Sequence, residues 1–306
     1  MRLAIYDNLK QIITHLVTAF NINVSAAPTG RPRKIAIIDA LTLALYRHKS
    51  TRATKKSVYE DFKQILRCSY KTLVVSMNTT AVLAGRMITL LMNLFARDAH
   101  PVKYTDATDI PVCLKKNADT HKTMQAFSGF GHSSKGWYYG LKMTMTRDDE
   151  GRLLGLRFSH PSVNDRDIFR SINKNLMGIL VADAGYVSKK LERDMHIENK
   201  RMTLIRPYKS MKRLATFWQL AVYKGRFKIE FDFRSLKLFH GLVTSMPRSI
   251  NGYLSRSSWA VFGLYEKRGS GEFRNSQFYM GILILLFLRS HRTDCDINKH
   301  HKRRKC

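Results

Sequence analysis

The sequence predicts a mixed α/β protein in which a mixed β-sheet with flanking helices follows a small all-α region. Three observations predict this class. Apolar residues recur at helical spacing through the first hundred residues, strand-like and helix-like segments alternate over residues 101–250, and 44% of the 306 residues are hydrophobic. A hydrophobic fraction of this size supports a packed core, which excludes a disordered basic chain.

The N-terminal region is predicted to be helical from its periodicity. One stretch places apolar side chains at i, i+3 and i+4 spacing: Leu9, Ile12, Ile13, Leu16, Val17 and Phe20. Two prolines and a glycine within residues 26–34 predict a linker or turn. Helical patterns then resume over residues 35–46, 59–66 and 80–95. We therefore expect a helical domain at residues 1–98.

Strand patterns begin near residue 100. Residues 102–108, 137–146 and 153–159 carry aromatic and β-branched side chains, and a polar turn ending in Gly151 predicts a hairpin between the last two. The apolar run 179–182 predicts a strand that is buried on both faces. A further short strand is predicted at 202–205. Helices are predicted at 164–175, with Asn164 or Asp165 near the cap, at 188–195 and at 223–239.

A formal charge of +30, from 53 Lys and Arg against 23 Asp and Glu, predicts a polyanionic partner. Nucleic acid is the first candidate because neutralised phosphates release counterions, and an anionic membrane surface is the alternative. No apolar run reaches the 20 or so residues of a membrane span, the longest being 278–288. The four cysteines are scattered without CxxC spacing, which argues against a zinc site and favours a soluble protein in a reducing, intracellular compartment.

Three acids lie in settings that suit chemistry. Asp106 lies in a short strand-like segment, Asp183 follows the apolar run 179–182, and Glu230 lies on the predicted helix 223–239. Functional groups gather at strand carboxyl ends in α/β sheets, so Asp183 is well placed. Convergent carboxylates bind Mg²⁺ through hard oxygen ligands, and two such ions serve phosphoryl chemistry. Position alone leaves the alternative of ordinary capping or turn acids.

The helix around Glu230 contains a Y-x2-R-x3-E-x6-K pattern formed by Tyr223, Arg226, Glu230 and Lys237. The last three residues are spaced 4 and 7 apart, which places them on one face of a helix. A carboxylate between basic residues suits a site that holds metal and phosphate together. A solvated stripe of ion pairs is the alternative.

This pattern resembles the signature of DDE transposases of bacterial insertion sequences. The motifs TDATDIPVC (105–113), SSKGWYYGLK (133–142), SVND (162–165) and VADAGY (181–186) are similar to those of the insertion-sequence 982 family and its relatives. The resemblance covers about residues 100–268. It implies an RNase H-like catalytic domain at 99–268, preceded by a DNA-binding helical domain at 1–98 and followed by a C-terminal segment, 269–306, with a basic tail. That segment departs from the family's pattern.

The resemblance also implies roles for individual residues. Asp106, Asp183 and Glu230 would be the catalytic residues and would hold two Mg²⁺ or Mn²⁺ ions, with Asp109 as a competitor of Asp106. The DNA-binding residues would be Tyr223, Arg226 and Lys237. Residues 30–34 resemble a short minor-groove arm containing Arg31, Arg33 and Lys34, with a plain basic linker as the alternative.

The implied activity is metal-dependent cleavage at the ends of an insertion sequence and strand transfer into target DNA. The implied partners are double-stranded DNA, carrying terminal inverted repeats or target sequence, and a second copy of the chain, in the bacterial cytoplasm at the nucleoid and without a membrane. Two alternatives remain. One is an inactive or domesticated DNA-binding protein derived from a transposase, and the other is an RNase H-like nuclease without strand transfer.

Overall fold

Helices precede a mixed sheet in the computed structural model, which describes residues 2–24, 32–49, 52, 54–133, 135–186, 188–199, 216–243 and 247–269. The first helices are α1 (Arg2–Ala19), α2 (Ile37–Lys49), α3 (Lys55–Leu66), α4 (Tyr70–Thr79) and α5 (Ala81–Phe95). The predicted helical N-terminus is thus confirmed, while α4 was not predicted. Hydroxyl caps fix two starts: Thr54 Oγ1 accepts from Ser57 N at 3.1 Å and Ser69 Oγ from Thr72 N at 3.2 Å.

The pair α4–α5 contributes one face to the hydrophobic core. By length and composition alone, Tyr70–Phe95 is apolar enough to cross a membrane. Its buried side chains include Leu73, Met77, Met87 and Ile88. Between the two helices, Thr80 accepts a hydrogen bond from the buried Trp259 indole at 3.2 Å. The apolar side chains of α4 and α5 therefore pack into the core of the folded protein, as in other helices with one apolar face.

The sheet is mixed, as predicted. Its strands in the described part of the chain are β1 (Val102–Cys113), β2 (Gly129–Ser133), β3 (Gly136–Asp148), β4 (Leu153–Ser159) and β5 (Ile179–Val181). The order is β2-β3-β1-β5, with β4 also paired to β3. β1 is antiparallel to β3 and parallel to β5. The predicted β3–β4 hairpin is confirmed, with Gly151 at φ 99° in its turn.

Helices flank the sheet and return to the N-terminal helices. They are α6 (Asp165–Ile172), α7 (Lys189–Asn199), α8 (Phe217–Lys224), α9 (Phe227–Leu238) and α10 (Ile250–Gly269). α9 packs on β1, and α10 packs on α2, α4 and α5. One hydrophobic cluster therefore joins Leu41, Met143 and Trp259. The predicted domain boundaries stay a prediction, and the predicted strand 202–205 and the apolar run 278–288 lie outside the described residues.

The predicted single helix 223–239 is wrong, because the chain forms two helices that meet at Gly225 and Arg226. The backbone bonds change there to i to i−3 spacing: Arg226 N donates to Tyr223 O at 3.1 Å, and Ile229 N donates to Arg226 O at 3.1 Å. Gly225 lies directly against the Tyr104 ring of β1. This close approach seats the helix pair on the sheet, and no local sequence pattern reports it.

Gly225→Ala is expected to destabilise the protein by about 1 to 3 kcal/mol, because it overpacks a filled contact. An added Cβ would lie 2.1 Å from Tyr104 Oη and 2.6 Å from its Cζ. Gly85→Ala in α5 is the matched control, since nothing lies within 4 Å of its Cβ position. That change should stabilise the helix by up to about 1 kcal/mol. Denaturant unfolding of both variants measures the contrast, and equal midpoints would contradict it.

Candidate active site

Strand register places Asp106 and Asp183 side by side. β1 and β5 are parallel, with Tyr104 opposite Val181. Asp106 and Asp183 each follow that pair by two residues, so Asp183, which lies just past the end of β5, is close to Asp106. Asp183 is exposed, and its charge acts on both Asp106 and Arg226. The predicted location of Asp183 at a strand end is confirmed.

The guanidinium of Arg226 joins the third acid to this pair. Arg226 Nη1 lies 3.3 Å from Asp106 Oδ2, and Arg226 Nη2 lies 2.9 Å from Glu230 Oε1. The Asp106 and Arg226 side chains are less than one fifth exposed, whereas Glu230 reaches further into solvent. The α8–α9 junction creates this geometry, since it aims Arg226 at β1 and places Glu230 one turn further along α9. Arg226 thus binds Asp106 and Glu230, which are distant in sequence, and the charge of Asp183 acts on the same guanidinium.

Burial and neighbouring carboxylates raise the pKa of Asp106. Desolvation is the largest cause and lifts the pKa from 3.8 to about 6. The Ala107 backbone N–H, which donates to Oδ1 at 2.8 Å, and the Arg226 charge act in the opposite direction, while Asp183 and Glu230 raise the pKa further. Repelling carboxylates of this kind are relieved by a bound cation.

Asp106→Asn is expected to stabilise the metal-free protein. The folded pKa of about 6 lies above the ordinary value of 3.8, so the folded state binds the proton more tightly and stability falls as pH rises from about 4 to about 6. The variant lacks this titration and should exceed the wild type by about 2 to 3 kcal/mol at pH 7. Denaturant unfolding in EDTA at several pH values measures the difference, with Asp167→Asn on the exposed surface as control. Parallel stability curves for wild type and Asp106→Asn would contradict the prediction.

Asp109 belongs to a neighbouring ion pair. Its Oδ1 accepts from Lys237 Nζ at 3.1 Å, and both side chains are largely buried. Burial is the largest influence on Lys237 and lowers its pKa, with Asp109 opposing that effect. Arg226 and Lys237 therefore both face β1, each bound to a different aspartate. Asp109 is occupied in this pair, and Asp106 is the aspartate that lies in the carboxylate group.

The other predicted DNA-binding residues are Tyr223, which lies beside Arg226, and the basic residues that precede α2. The Arg226 guanidinium stacks at 5.8 Å from the Tyr223 ring centroid and at 5.7 Å from that of Phe227. Arg33 and Lys34 are exposed just before α2, and Arg31 lies outside the described residues.

The predicted cap of α6 is confirmed at Asn164, whose side chain accepts from Arg166 N at 3.0 Å. Asp165 forms an ion pair with Lys142 at 2.7 Å.

Sequence reasoning missed the residues that support the site. Tyr186 is buried beside it, where desolvation and the charges of Asp106 and Asp183 raise its pKa. Arg147 Nη1 binds Asp232 Oδ2 at 3.0 Å and holds α9 on β3. Lys228 and Tyr104 both bind Asp149, which adds a second tie between α9 and the sheet. Tyr186 stands in the VADAGY motif, but nothing local marks Arg147 and Asp232 as partners.

The donor atoms of the site are of the kind that a hard divalent cation prefers. Among the described residues, no three Asp, Glu, His or Cys side chains lie close enough to hold one ion. Here Arg226 supplies the positive charge that Asp106 and Glu230 share. The three acids nevertheless offer only carboxylate oxygens, which are the ligands that Mg²⁺ and Mn²⁺ prefer. Burial, followed by the neighbouring carboxylates, disfavours the charge of Asp106, and such an ion would compensate both effects.

A mixed sheet with convergent carboxylates beside basic residues defines a class of proteins that act on phosphodiesters. Residues 97–250 match the family model described as Transposase DDE domain, and they contain all three acids. Because the match spans half of the 306 residues, the chain belongs to this family of DDE transposase domains.

Comparisons with solved structures find remote likenesses to transposases. A cryo-EM structure of the piggyBac transposase synaptic complex with hairpin DNA has 10% identity and a TM-score of 0.44, covering 89% of this chain and 76% of that one. The Mos1 transposase paired-end complex with left transposon end has 12% identity and a TM-score of 0.23, covering 83% and 85%. The Mos1 mariner paired-end complex with Mn has 11% identity and a TM-score of 0.22, covering 85% of this chain and 87% of that one. Among curated proteins, none is significantly similar in sequence.

Proposed function

We propose that the chain is a transposase of a bacterial insertion sequence, related to the insertion-sequence 982 family, that cleaves strands at the element's ends and transfers them into target DNA. The observation that carries the proposal is the binding of Asp106 and Glu230 by Arg226, with the charge of Asp183 acting on the same site, within a chain of the DDE transposase family. A formal charge of +30 supports DNA as the partner.

In this proposal the three carboxylates hold two Mg²⁺ or Mn²⁺ ions. When bound, such ions activate a water or a 3′-hydroxyl and stabilise the leaving oxygen at phosphorus. Burial, followed by the charges of Asp183 and Glu230, disfavours the Asp106 carboxylate, which strengthens its preference for a cation. Little side-chain proton transfer is needed, because positioning and charge carry most of phosphoryl transfer.

The basic residues of the site would position the DNA backbone. Arg226, which here binds Asp106 and Glu230, would be free to bind a phosphate if a cation compensated those carboxylates, and its planar fork suits two phosphate oxygens. The Tyr223 ring lies against this guanidinium, with its centroid 5.8 Å from Arg226 Cζ. Lys237 would contribute a point charge near the other end of α9. Arg31, Arg33 and Lys34 would add further DNA contacts, within a DNA-binding domain at residues 1–98. The protein would act as a homodimer on DNA, in the cytoplasm at the nucleoid.

A strand-cleavage assay tests this function. A labelled duplex that carries the element's terminal repeat should be nicked with Mg²⁺ or Mn²⁺, EDTA should abolish nicking, and joined products should appear when target DNA is added. Cleavage that is insensitive to EDTA would contradict the metal role. A gel shift without cleavage would instead identify a DNA-binding protein derived from a transposase, and cleavage without joined products would identify a nuclease.

A further inference from the structure

A cavity of about 360 Å³ opens between α3, α4 and the start of α10, and Arg47 of α2 also lines it. It shares no lining residue with the carboxylate site. The lining residues are Arg47, Thr54, Lys55, Tyr70, Val74, Asn78, Pro247, Arg248, Ser249, Gly252 and Arg256. The volume lies in the range of small-molecule sites, about 300 to 1,000 Å³.

Positive charge dominates this cavity. Four of the described lining residues are basic, namely Arg47, Lys55, Arg248 and Arg256, and none of the described ones is acidic. Arg47 is only 8% exposed and Arg256 only 5%.

Burial lowers the pKa values of the basic groups at this cavity. Desolvation, followed by the charges of Arg47 and Arg256, lowers the pKa of Lys55 to about 8. Desolvation and Arg47 lower the pKa of Arg256 to about 10. His48 stacks on His240 behind them, and burial together with the same bases lowers its pKa as well. A nearby anion would stabilise the charged form of each of these groups.

The backbone adds further positive potential and hydrogen-bonding groups. Two helices begin at the cavity: α3, which Thr54 caps, and α10, where Gly252 N donates to Ser249 Oγ at 3.1 Å. Helix N-termini attract anions through their free N–H groups and their dipole. Lys55 Nζ is oriented by a hydrogen bond to Asn78 Oδ1, and Arg256 Nε by one to Gly241 O at 2.5 Å. The basic groups are thus held in fixed positions around the cavity.

We propose that this cavity is a phosphate-binding site in the helical part of the protein. Arginine forks and an ammonium at two helix N-termini match the several acceptor oxygens of a phosphate group better than a single carboxylate. The phosphate is either part of a DNA backbone or a free phosphate anion. The site stands whether or not the proposed transposase activity is correct, because none of its residues belongs to the carboxylate group.

Thermal unfolding of the full chain tests the site with inorganic phosphate as the probe. The pocket variant is Lys55→Met with Arg248→Gln, which leaves the buried Arg47 and Arg256 in place. The matched control is Arg86→Gln with Lys116→Met, which removes the same charge from exposed positions outside the cavity. Millimolar phosphate, compared with chloride at equal ionic strength, should raise the unfolding temperature of the wild type and the control by several degrees.

The pocket variant should lose most of this phosphate-dependent shift. Without phosphate it should unfold at the wild-type temperature or above, since it loses a cation that its surroundings disfavour. Equal phosphate shifts in the pocket variant and the control would overturn the proposal. A pocket variant that is less stable without phosphate and keeps its phosphate shift would overturn it too.

Fluorescence anisotropy with a short duplex separates the two sources of phosphate. If the site holds a backbone phosphate, the pocket variant should bind DNA about tenfold or more weakly than the control, with a shallower salt dependence. If it holds a free anion, both variants should bind the duplex equally, and only the pocket variant should lack the phosphate shift. Either result supports the phosphate site and assigns its ligand.

Discussion

Asp106→Asn is expected to lower the rate of metal-dependent strand cleavage by about 10³-fold or more while leaving DNA binding intact. The carboxylate is central to the candidate site, with Arg226 at 3.3 Å and the charges of Asp183 and Glu230 acting on it. The amide keeps the shape but removes the anionic ligand, and losses of this size are typical when one member of a catalytic group is removed. Cleavage of the labelled terminal-repeat duplex under single-turnover conditions measures the effect.

Two further variants make this test specific. Asp167→Asn changes an exposed acid in the first turn of α6 and should cleave at the wild-type rate. Asp109→Asn should retain most activity, because Asp109 is bound to Lys237 rather than to the Arg226 centre. Loss of cleavage in Asp109→Asn alone would show that Asp109, and not Asp106, is the first acid of the site. DNA affinity that falls with the cleavage rate would show instead that Asp106 supports the fold.

The parts of the site that lie on single elements could be predicted from the sequence. Asp183 follows an apolar run that forms β5, so its place at a strand end needed only hydrophobic patterning. Glu230, Arg226 and Lys237 share a face because helical spacing continues across the region. The mixed sheet followed from the same local patterns, although the glycine-rich β2 at 129–133 carried too little strand signal to be predicted.

The remaining features depend on contacts between residues far apart in sequence. The break between α8 and α9 occurs where Gly225 meets the ring of Tyr104, which lies 121 positions earlier, and a local helical pattern contains no trace of that contact. The basic cavity joins α2, α3 and α4 to the start of α10, so its charges appear in the sequence only as ordinary scattered Lys and Arg. Local periodicity predicts elements, whereas the partners of buried charges are set by packing.

Asp232→Ala is expected to destabilise the protein by about 3 to 5 kcal/mol, because it leaves the buried Arg147 without its carboxylate. Arg147 Nη1 lies 3.0 Å from Asp232 Oδ2, and the Asp232 side chain is 1% exposed. The same nitrogen contacts Lys228 O at 3.4 Å, so the pair fixes the first half of α9, which carries Glu230, to β3. Cleavage should therefore weaken together with stability, and denaturant unfolding alongside the cleavage assay measures both.

Replacing both partners separates charge burial from packing. Arg147→Met combined with Asp232→Leu removes both charges of this pair, so the double variant should be more stable than Asp232→Ala, because apolar pairs of similar volume substitute well for buried ion pairs. Glu60→Gln is the surface control: its ion pairs with Lys56 and Lys63 are exposed, and their loss should change stability little. An unfolding midpoint for Asp232→Ala equal to that of Glu60→Gln would mean that the pair does not hold α9. If Asp232→Ala instead unfolds early while the double variant regains both stability and cleavage, α9 needs a filled contact with β3 rather than an ion pair to keep Glu230 at the site.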